Sequence, residues 1–210
     1  MIKVLVADDH AVVRRGLMQI LDEAPGMKAA GEASTGRQVL RAVLEDQYDV
    51  LVLDMAMPEG GGLEVLQELR HLKPDLPVLI LSMYSENQYA IRALKAGAAG
   101  YLTKESAPDE LVTAIRQVGQ GEQYVSRELA RSIADLVKGK HEPEPHESLS
   151  DREYQVMCAL AQGKTVSQIA ADMALSPKTI STYRTRVLRK LQLETTPEIV
   201  RYAIKQGLVE

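Results

Sequence analysis

Along the first 120 positions, apolar residues come in short unbroken runs, each followed by a stretch in which they recur at helical spacing. Lys3-Val-Leu-Val-Ala7 leads into Val13, Leu17, Ile20, Leu21 and Ala24, and residues 27–32 lead into Val39, Leu40, Val43 and Leu44. Residues 49–53 precede a helical pattern over 63–72, residues 78–81 precede 86–96, and residues 100–103 precede 108–118. A strand with one solvated face alternates apolar and polar residues, whereas continuous apolar runs mean burial on both faces and so a parallel sheet with crossover helices. The pattern predicts a doubly wound α/β domain with a five-stranded parallel sheet, whose ligands sit at the carboxyl ends of the strands.

A further short helix is expected over 126–137. Lys138-Gly-Lys-His-Glu-Pro-Glu-Pro-His-Glu147 then carries no apolar side chain and two prolines, the composition of an extended linker. Beyond it the strand signals stop. Ser150-Asp-Arg-Glu153 suits a helix start, Gly163 a helix end, and three more helical patterns cover 166–173, 177–191 and 197–206. Ser176 fits an N-cap and Pro177 the first helical position. The expected organisation is an α/β domain over 1–120, a short helix and linker over 121–147, and a small all-α four-helix domain with a helix-turn-helix over 148–210.

Composition supports two cores: 45% of the 210 residues are apolar. The net charge of −4 is unevenly divided, because residues 148–210 carry nine Lys/Arg against six Asp/Glu, which leaves −7 for residues 1–147. An acidic half and a basic half are expected to do different jobs. The start Met1-Ile-Lys-Val-Leu-Val6 lacks the pattern of a signal peptide, and no apolar run approaches the ~20 residues of a membrane span, so a cytoplasmic protein without membrane contact is expected. The single Cys158, among Val156, Met157, Ala159 and Leu160, reads as a core thiol.

The alternation places Asp8 and Asp9 after the first strand, Asp54 after the third, Ser82 after the fourth and Lys104 after the fifth. Clustered carboxylates repel one another unless a cation sits among them, and oxygen-only ligands favour Mg²⁺ together with a phosphate. Asp54 stands at the centre of that rim as a nucleophile towards phosphorus, Lys104 supplies a fixed positive charge, and Ser82 offers a hydroxyl to phosphoryl oxygens. Pro58 and Gly60 to Gly62 then bend the chain away and leave the carboxylate accessible. One Asp after a strand is commonly a turn former or helix cap, but four strand ends with complementary chemistry are hard to obtain from turns. A phosphoaspartyl hydrolase would want a second aspartate at Ala56, and no Gly-rich loop with Lys-Ser/Thr follows the first strand, which argues against a nucleotide-hydrolysing switch.

In the pattern over 177–191, Ile180, Tyr183, Val187 and Leu191 share one face. Lys178, Thr182, Thr185, Arg186 and Arg189 share the other, with Lys190 at its margin and no acid from Pro177 to Gln192. Such a helix suits the major groove of DNA, with cations on phosphates and shorter side chains, including Thr179 and Ser181, towards base edges. The alternative is a solvated charge run.

Asp8-Asp9, Asp54 with Met57-Pro58, Ser82, and Ala98-Ala-Gly-Tyr-Leu-Thr-Lys104 resemble the receiver domain of bacterial response regulators. Leu149-Ser-Asp-Arg-Glu153, Ile169-Ala170, Leu175-Ser-Pro-Lys-Thr-Ile-Ser-Thr-Tyr183 and Lys190-Leu191 resemble the LuxR-type helix-turn-helix. Together the chain is similar to the NarL/FixJ family, and its Ser-Pro-Lys-Thr-Ile-Ser-Thr-Tyr183 stretch looks like the GacA and BvgA branch. The resemblance implies a response regulator in which Asp54 accepts a phosphoryl group from a sensor histidine kinase. Mg²⁺ is then held by Asp8 or Asp9, Asp54 and the carbonyl of Ala56, while Lys104 and Ser82 read the phosphate. Tyr101 becomes an aromatic switch that turns inward, a role its spacing shares with a half-buried edge tyrosine. Glu105 departs from the broader receiver pattern, which has proline after the lysine. The resemblance further implies a homodimer on promoter DNA, with RNA polymerase as a further partner, and no enzymatic role beyond the receiver's own phosphorylation and dephosphorylation. The last helix would carry the dimer contact through Ile199, Val200, Ala203 and Ile204, a spacing that equally suits a core. Arg184, near the core face, is expected to pair with Glu153. A regulator that binds DNA independently of phosphate remains the rival reading.

Overall fold

The computed structural model describes all residues except 56, 58–60, 84, 85, 107, 127, 128, 132, 135–143, 174 and 210, and except the side chains of 86–88 and 151. Two compact units divide the chain, Met1–Ala134 and Asp135–Glu210.

The first unit alternates β1 (Ile2–Ala7), α1 (Ala11–Glu23), β2 (Met27–Ala33), α2 (Gly36–Glu45), β3 (Val50–Asp54), α3 (Gly62–Leu72), β4 (Val78–Ser82), α4 (Glu86–Lys95), β5 (Gly100–Thr103) and α5 (Pro108–Val118). All pairings are parallel, in the order β2-β1-β3-β4-β5. The central strands β3 and β4 are buried at every position, which is why their sequence is apolar without alternation. Edge strand β2 alternates instead, and its register against β1 slips between Val4 and Leu5. Val4, Val6, Val50, Val52, Leu79, Leu81 and Leu102 pack with Leu111, Ile115 and Val118 of α5 into one core.

Past α5 the chain returns to the sheet. Tyr124 accepts from the Tyr101 N–H at 3.3 Å and donates its own N–H to Ala99 at 2.9 Å, forming a parallel bridge along the free edge of β5. Gly100 permits this, since a Cβ there would lie 2.8 Å from the Tyr124 carbonyl. The Tyr124 hydroxyl donates to Glu110 of α5 at 2.8 Å. Of the helix expected over 126–137, residues 129–131, 133 and 134 are helical and the rest of its second half lies outside the described residues.

Among the described residues, the second unit contains a short 3-10 turn (Pro145–Ser148) and four helices, α6 (Asp151–Ala161), α7 (Val166–Asp172), α8 (Pro177–Leu191) and α9 (Thr196–Lys205). Ser150, Thr165 and Ser176 each cap the helix that follows by accepting a backbone N–H. Cys158 is buried in α6 beside Val156 and Met157, as a core thiol should be. The end of the expected linker belongs to this unit. His146 is 2% exposed, its Nδ1 lies 2.8 Å from the Tyr202 hydroxyl, and Gln206 donates to Glu144 at 3.0 Å. Among the described residues, no helix is long and apolar enough to cross a membrane.

Candidate functional site

Parallel pairing brings the carboxyl ends of β1, β3, β4 and β5 to one rim. Asp54 stands opposite Leu81 and Ser82 opposite Thr103. The Lys104 N–H donates to the Ser82 carbonyl at 2.7 Å and ties the last two strand ends together. Asp8, Asp54 and Ser82 are all buried, at 0%, 1% and 0% exposure.

The Lys104 ammonium reaches between two of these groups, 2.7 Å from Asp8 Oδ2 and 2.9 Å from Asp54 Oδ2. Burial pushes the lysine pKa down, but the neighbouring Asp54 and Asp8 outweigh it and hold it above its ordinary 10.5. Lys104 is therefore a cation at the rim at neutral pH.

Asp8 is fixed from several sides. Its N–H donates to Ala33 at 3.1 Å, its carbonyl accepts from Arg14 at 2.7 Å, and its Oδ1 accepts the His10 N–H at 2.8 Å. Arg14 also binds Glu32 at 2.7 Å, which joins α1 to β2 behind the rim. The His10 ring lies 2.7 Å from Asp9. Neither His10 nor Arg14 stands out in the sequence, although His10 directly follows the two aspartates.

Asp8, Asp9, His10 and Asp54 each offer a ligand atom, all within 4.8 Å of one another. Two of these carboxylates, Asp8 and Asp54, share the single Lys104 ammonium, and Asp9 beside the His10 ring adds a third, a concentration of negative charge that suits a divalent cation. The Ala56 carbonyl, Pro58 and Gly60 lie outside the described residues. Gly62 explains why glycine follows this strand: a Cβ there would lie 2.6 Å from the Asp54 carbonyl oxygen and 2.7 Å from the Met55 Cα. Its N–H instead donates to the Met55 carbonyl at 3.0 Å, starting α3 against the backbone at the end of β3. Tyr101 is fully buried, at 0% exposure, so it faces inward rather than lying half-buried at an edge.

In the second unit, α8 buries Ile180, Val187 and Leu191 and half-buries Tyr183. Lys178, Ser181, Thr182, Thr185, Arg186 and Arg189 are exposed, and Thr179 is half-buried with its hydroxyl 2.8 Å from that of Ser176. The expected pairing of Arg184 with Glu153 needs correction. Glu153 pairs with Lys190, 2.7 Å away, while the Arg184 Nε donates to Thr196 at 2.8 Å. The two cations flank opposite sides of the apolar stripe, and α6 covers the side on which Lys190 lies. Lys190 also donates to the Ser148 carbonyl at 3.0 Å, so it is held within the unit rather than on the outer face. Among the dimer candidates, Ile199 and Ala203 are fully buried in the unit's own core, Val200 is half-buried, and Ile204 is 55% exposed. Helix α9 packs its apolar stripe inward against α6, which leaves Ile204 and the half-buried Val200 as the candidates still able to meet a partner.

A receiver-type rim joined to a capped helix-turn-helix defines a class, and comparison with known families gives the same one. The response regulator receiver domain matches residues 4–116, and the luxR family of bacterial regulatory proteins matches residues 147–203. The chain belongs to the response regulators with a LuxR-type DNA-binding domain, which are transcription regulators and not hydrolases. Within them it is similar to response regulator UvrY of Escherichia coli K12, at 38% identity over 99% of this chain and 96% of that one. It is also similar to response regulator GacA of Pseudomonas aeruginosa PAO1, at 37% identity over 100% of this chain and 99% of that one. Among solved structures, response regulator ChrA of a heme-sensing two-component system matches at 31% identity and a TM-score of 0.54, covering 99% and 98% of the two chains. RcsB of Salmonella enterica serovar Typhimurium shares the fold at a TM-score of 0.66 and 24% identity, over 96% and 97% of the two chains.

Proposed function

We propose that Asp54 is the phosphoacceptor of a cytoplasmic two-component switch that controls promoter DNA binding. The reading is supported above all by Lys104, whose ammonium already bridges the buried Asp8 and Asp54 carboxylates. An Asp54 oxygen attacks the phosphorus of a phosphohistidine on a sensor histidine kinase. The P–N bond breaks, a P–O bond to Asp54 forms, and the departing imidazole nitrogen takes up a proton. Lys104 and Ser82 face the phosphoryl oxygens and offset the charge that develops on them. Asp8, Asp9 and Asp54 would hold Mg²⁺, with the Ala56 carbonyl as a further ligand; the ion would neutralise charge shared between the carboxylates and the phosphate.

The added phosphate brings nearly two negative charges to the rim. Hydrogen bonds from Ser82 and Lys104 to the phosphoryl oxygens bias the β4 and β5 ends, and Tyr101 on β5 is the switch residue that responds. The phosphorylated chain associates as a homodimer, with Ile204 and Val200 as surface candidates on α9, and lays α8 in the major groove. Lys178, Arg186 and Arg189 meet phosphates, while Thr179, Ser181, Thr182 and Thr185 approach base edges. RNA polymerase is the further partner through which bound protein would act on transcription.

The test is to incubate wild type and Asp54→Asn with acetyl phosphate and Mg²⁺, following intact mass and association. One added phosphoryl group in wild type alone, with a shift towards dimer, is expected. Equal labelling of both proteins would move the acceptor elsewhere. Labelling at Asp54 without any change in association or DNA affinity would favour phosphate-independent binding.

A further inference from the structure

The hydroxyl groups on the outer face of α8 are not free donors. Ser181 Oγ donates to the Pro177 carbonyl at 2.9 Å, Thr182 Oγ1 to the Lys178 carbonyl at 3.0 Å, and Thr185 Oγ1 to the Ser181 carbonyl at 2.9 Å. All three side chains are exposed. At about 100° per residue they fall within a stripe roughly 100° wide, on which Lys178 and Arg189 also lie.

A hydroxyl has one proton and two acceptor lone pairs. Here each proton is already placed in an intrahelical bond, so the outward chemistry of Ser181, Thr182 and Thr185 is that of an acceptor. The major groove presents acceptors at guanine N7 and O6, adenine N7 and thymine O4, and amino donors at adenine N6 and cytosine N4. Hydroxyls wired to their own helix match the amino donors and mismatch the keto oxygens. The face therefore divides the labour: its cations carry donors for phosphates and guanine, and its hydroxyls carry acceptors.

We propose that Ser181, Thr182 and Thr185 act as specificity-determining acceptors that read the exocyclic amino groups of adenine or cytosine, so that the strand they contact carries amino bases rather than guanine or thymine at those positions. The inference rests on α8 being the DNA-reading helix, and goes beyond it in naming the base chemistry.

The experiment uses the full chain, with and without acetyl phosphate and Mg²⁺, to select sites from a random double-stranded library. Wild type is compared with Thr182→Val, Thr185→Val and Ser181→Ala, and with Arg186→Ala as a control on the reading itself. Affinities are then measured on the selected site after replacing single adenines by purine, which lacks the amino group, or single cytosines by a base lacking the 4-amino group. Wild type should lose roughly ten-fold at one or more such positions. The matching hydroxyl variant should bind both duplexes alike and lose the preference for amino bases there, while its circular dichroism and thermal unfolding stay those of a folded chain. If the hydroxyl variants keep the wild-type base preferences, or lose a preference for guanine or thymine instead, the inference is overturned while α8 remains the reading helix. If no site is enriched, or Arg186→Ala binds as well as wild type, the underlying reading fails and this inference with it.

Discussion

Each unit of the chain packs one lysine against buried carboxylate, and the two arrangements differ in stoichiometry. Lys190 meets the single carboxylate of Glu153, which Ser150 also satisfies through its backbone N–H at 2.8 Å. Lys104 meets both Asp8 and Asp54, with Asp9 close by. The first pair is balanced, and it fixes α8 against α6 and the Ser148 carbonyl. The second is left with surplus negative charge, which costs stability unless a cation joins it. Balanced pairing holds a structure together; unbalanced pairing prepares a site for a ligand.

Removing the cation from each cluster should separate the two most clearly. Lys104→Met leaves like charges buried side by side, and a loss of about 3 kcal/mol in the first unit is expected. Millimolar Mg²⁺ should restore part of that loss, and should raise the unfolding midpoint of the variant more than that of wild type. A Mg²⁺ response no larger than the wild type's would show that the rim does not carry surplus charge.

A smaller effect is expected from Lys190→Met, roughly 2 kcal/mol in the second unit, because the lysine side chain keeps 31% of its surface exposed. Denaturation of this variant should be indifferent to Mg²⁺. If Mg²⁺ rescued it, the contrast between the clusters would collapse.

The smallest effect is on pH dependence, where the clusters act in opposite windows. Burial alone would raise the Glu153 carboxyl, but Lys190 and Ser150 outweigh it and hold it below its ordinary 4.5. Its stabilisation is thus present above about pH 4.5 and is lost as pH falls through the lower folded value. Lys104 is raised, so its stabilisation is complete below about pH 10.5 and is lost as pH rises through the higher folded value. Thermal unfolding of Glu153→Gln should match wild type more closely in strong acid than at neutral pH, a convergence worth about 1 kcal/mol. A constant gap between the two across that range would mean that the Glu153 charge contributes nothing.

The rim was legible in the sequence because strand ends are. An apolar run that stops at Asp8, Asp54, Ser82 or Lys104 states both where a strand finishes and which group it presents, and parallel pairing leaves little freedom over where those groups meet. The neighbours that fix Asp8 were not legible: Arg14 and Glu32 come from different elements, and their meeting depends on the side of the sheet that α1 covers. The return of Tyr124 to β5 was equally silent, since a single bridge leaves no periodic trace.

On α8 the helical period by itself determined which residues are buried and which are exposed, and it assigned the cations and hydroxyls to one outer face. It also put Arg184 and Lys190 at the two margins of the apolar stripe, where periodicity cannot distinguish them. Tertiary packing decided that α6 lies along one margin and the start of α9 along the other, giving Glu153 to Lys190 and Thr196 to Arg184. The same packing drew Ile199 and Ala203 of α9 into the core and left Ile204 outside. Local sequence sets the faces of an element through its period, but a partner across the core is chosen only when other elements, distant in the chain, close upon that face.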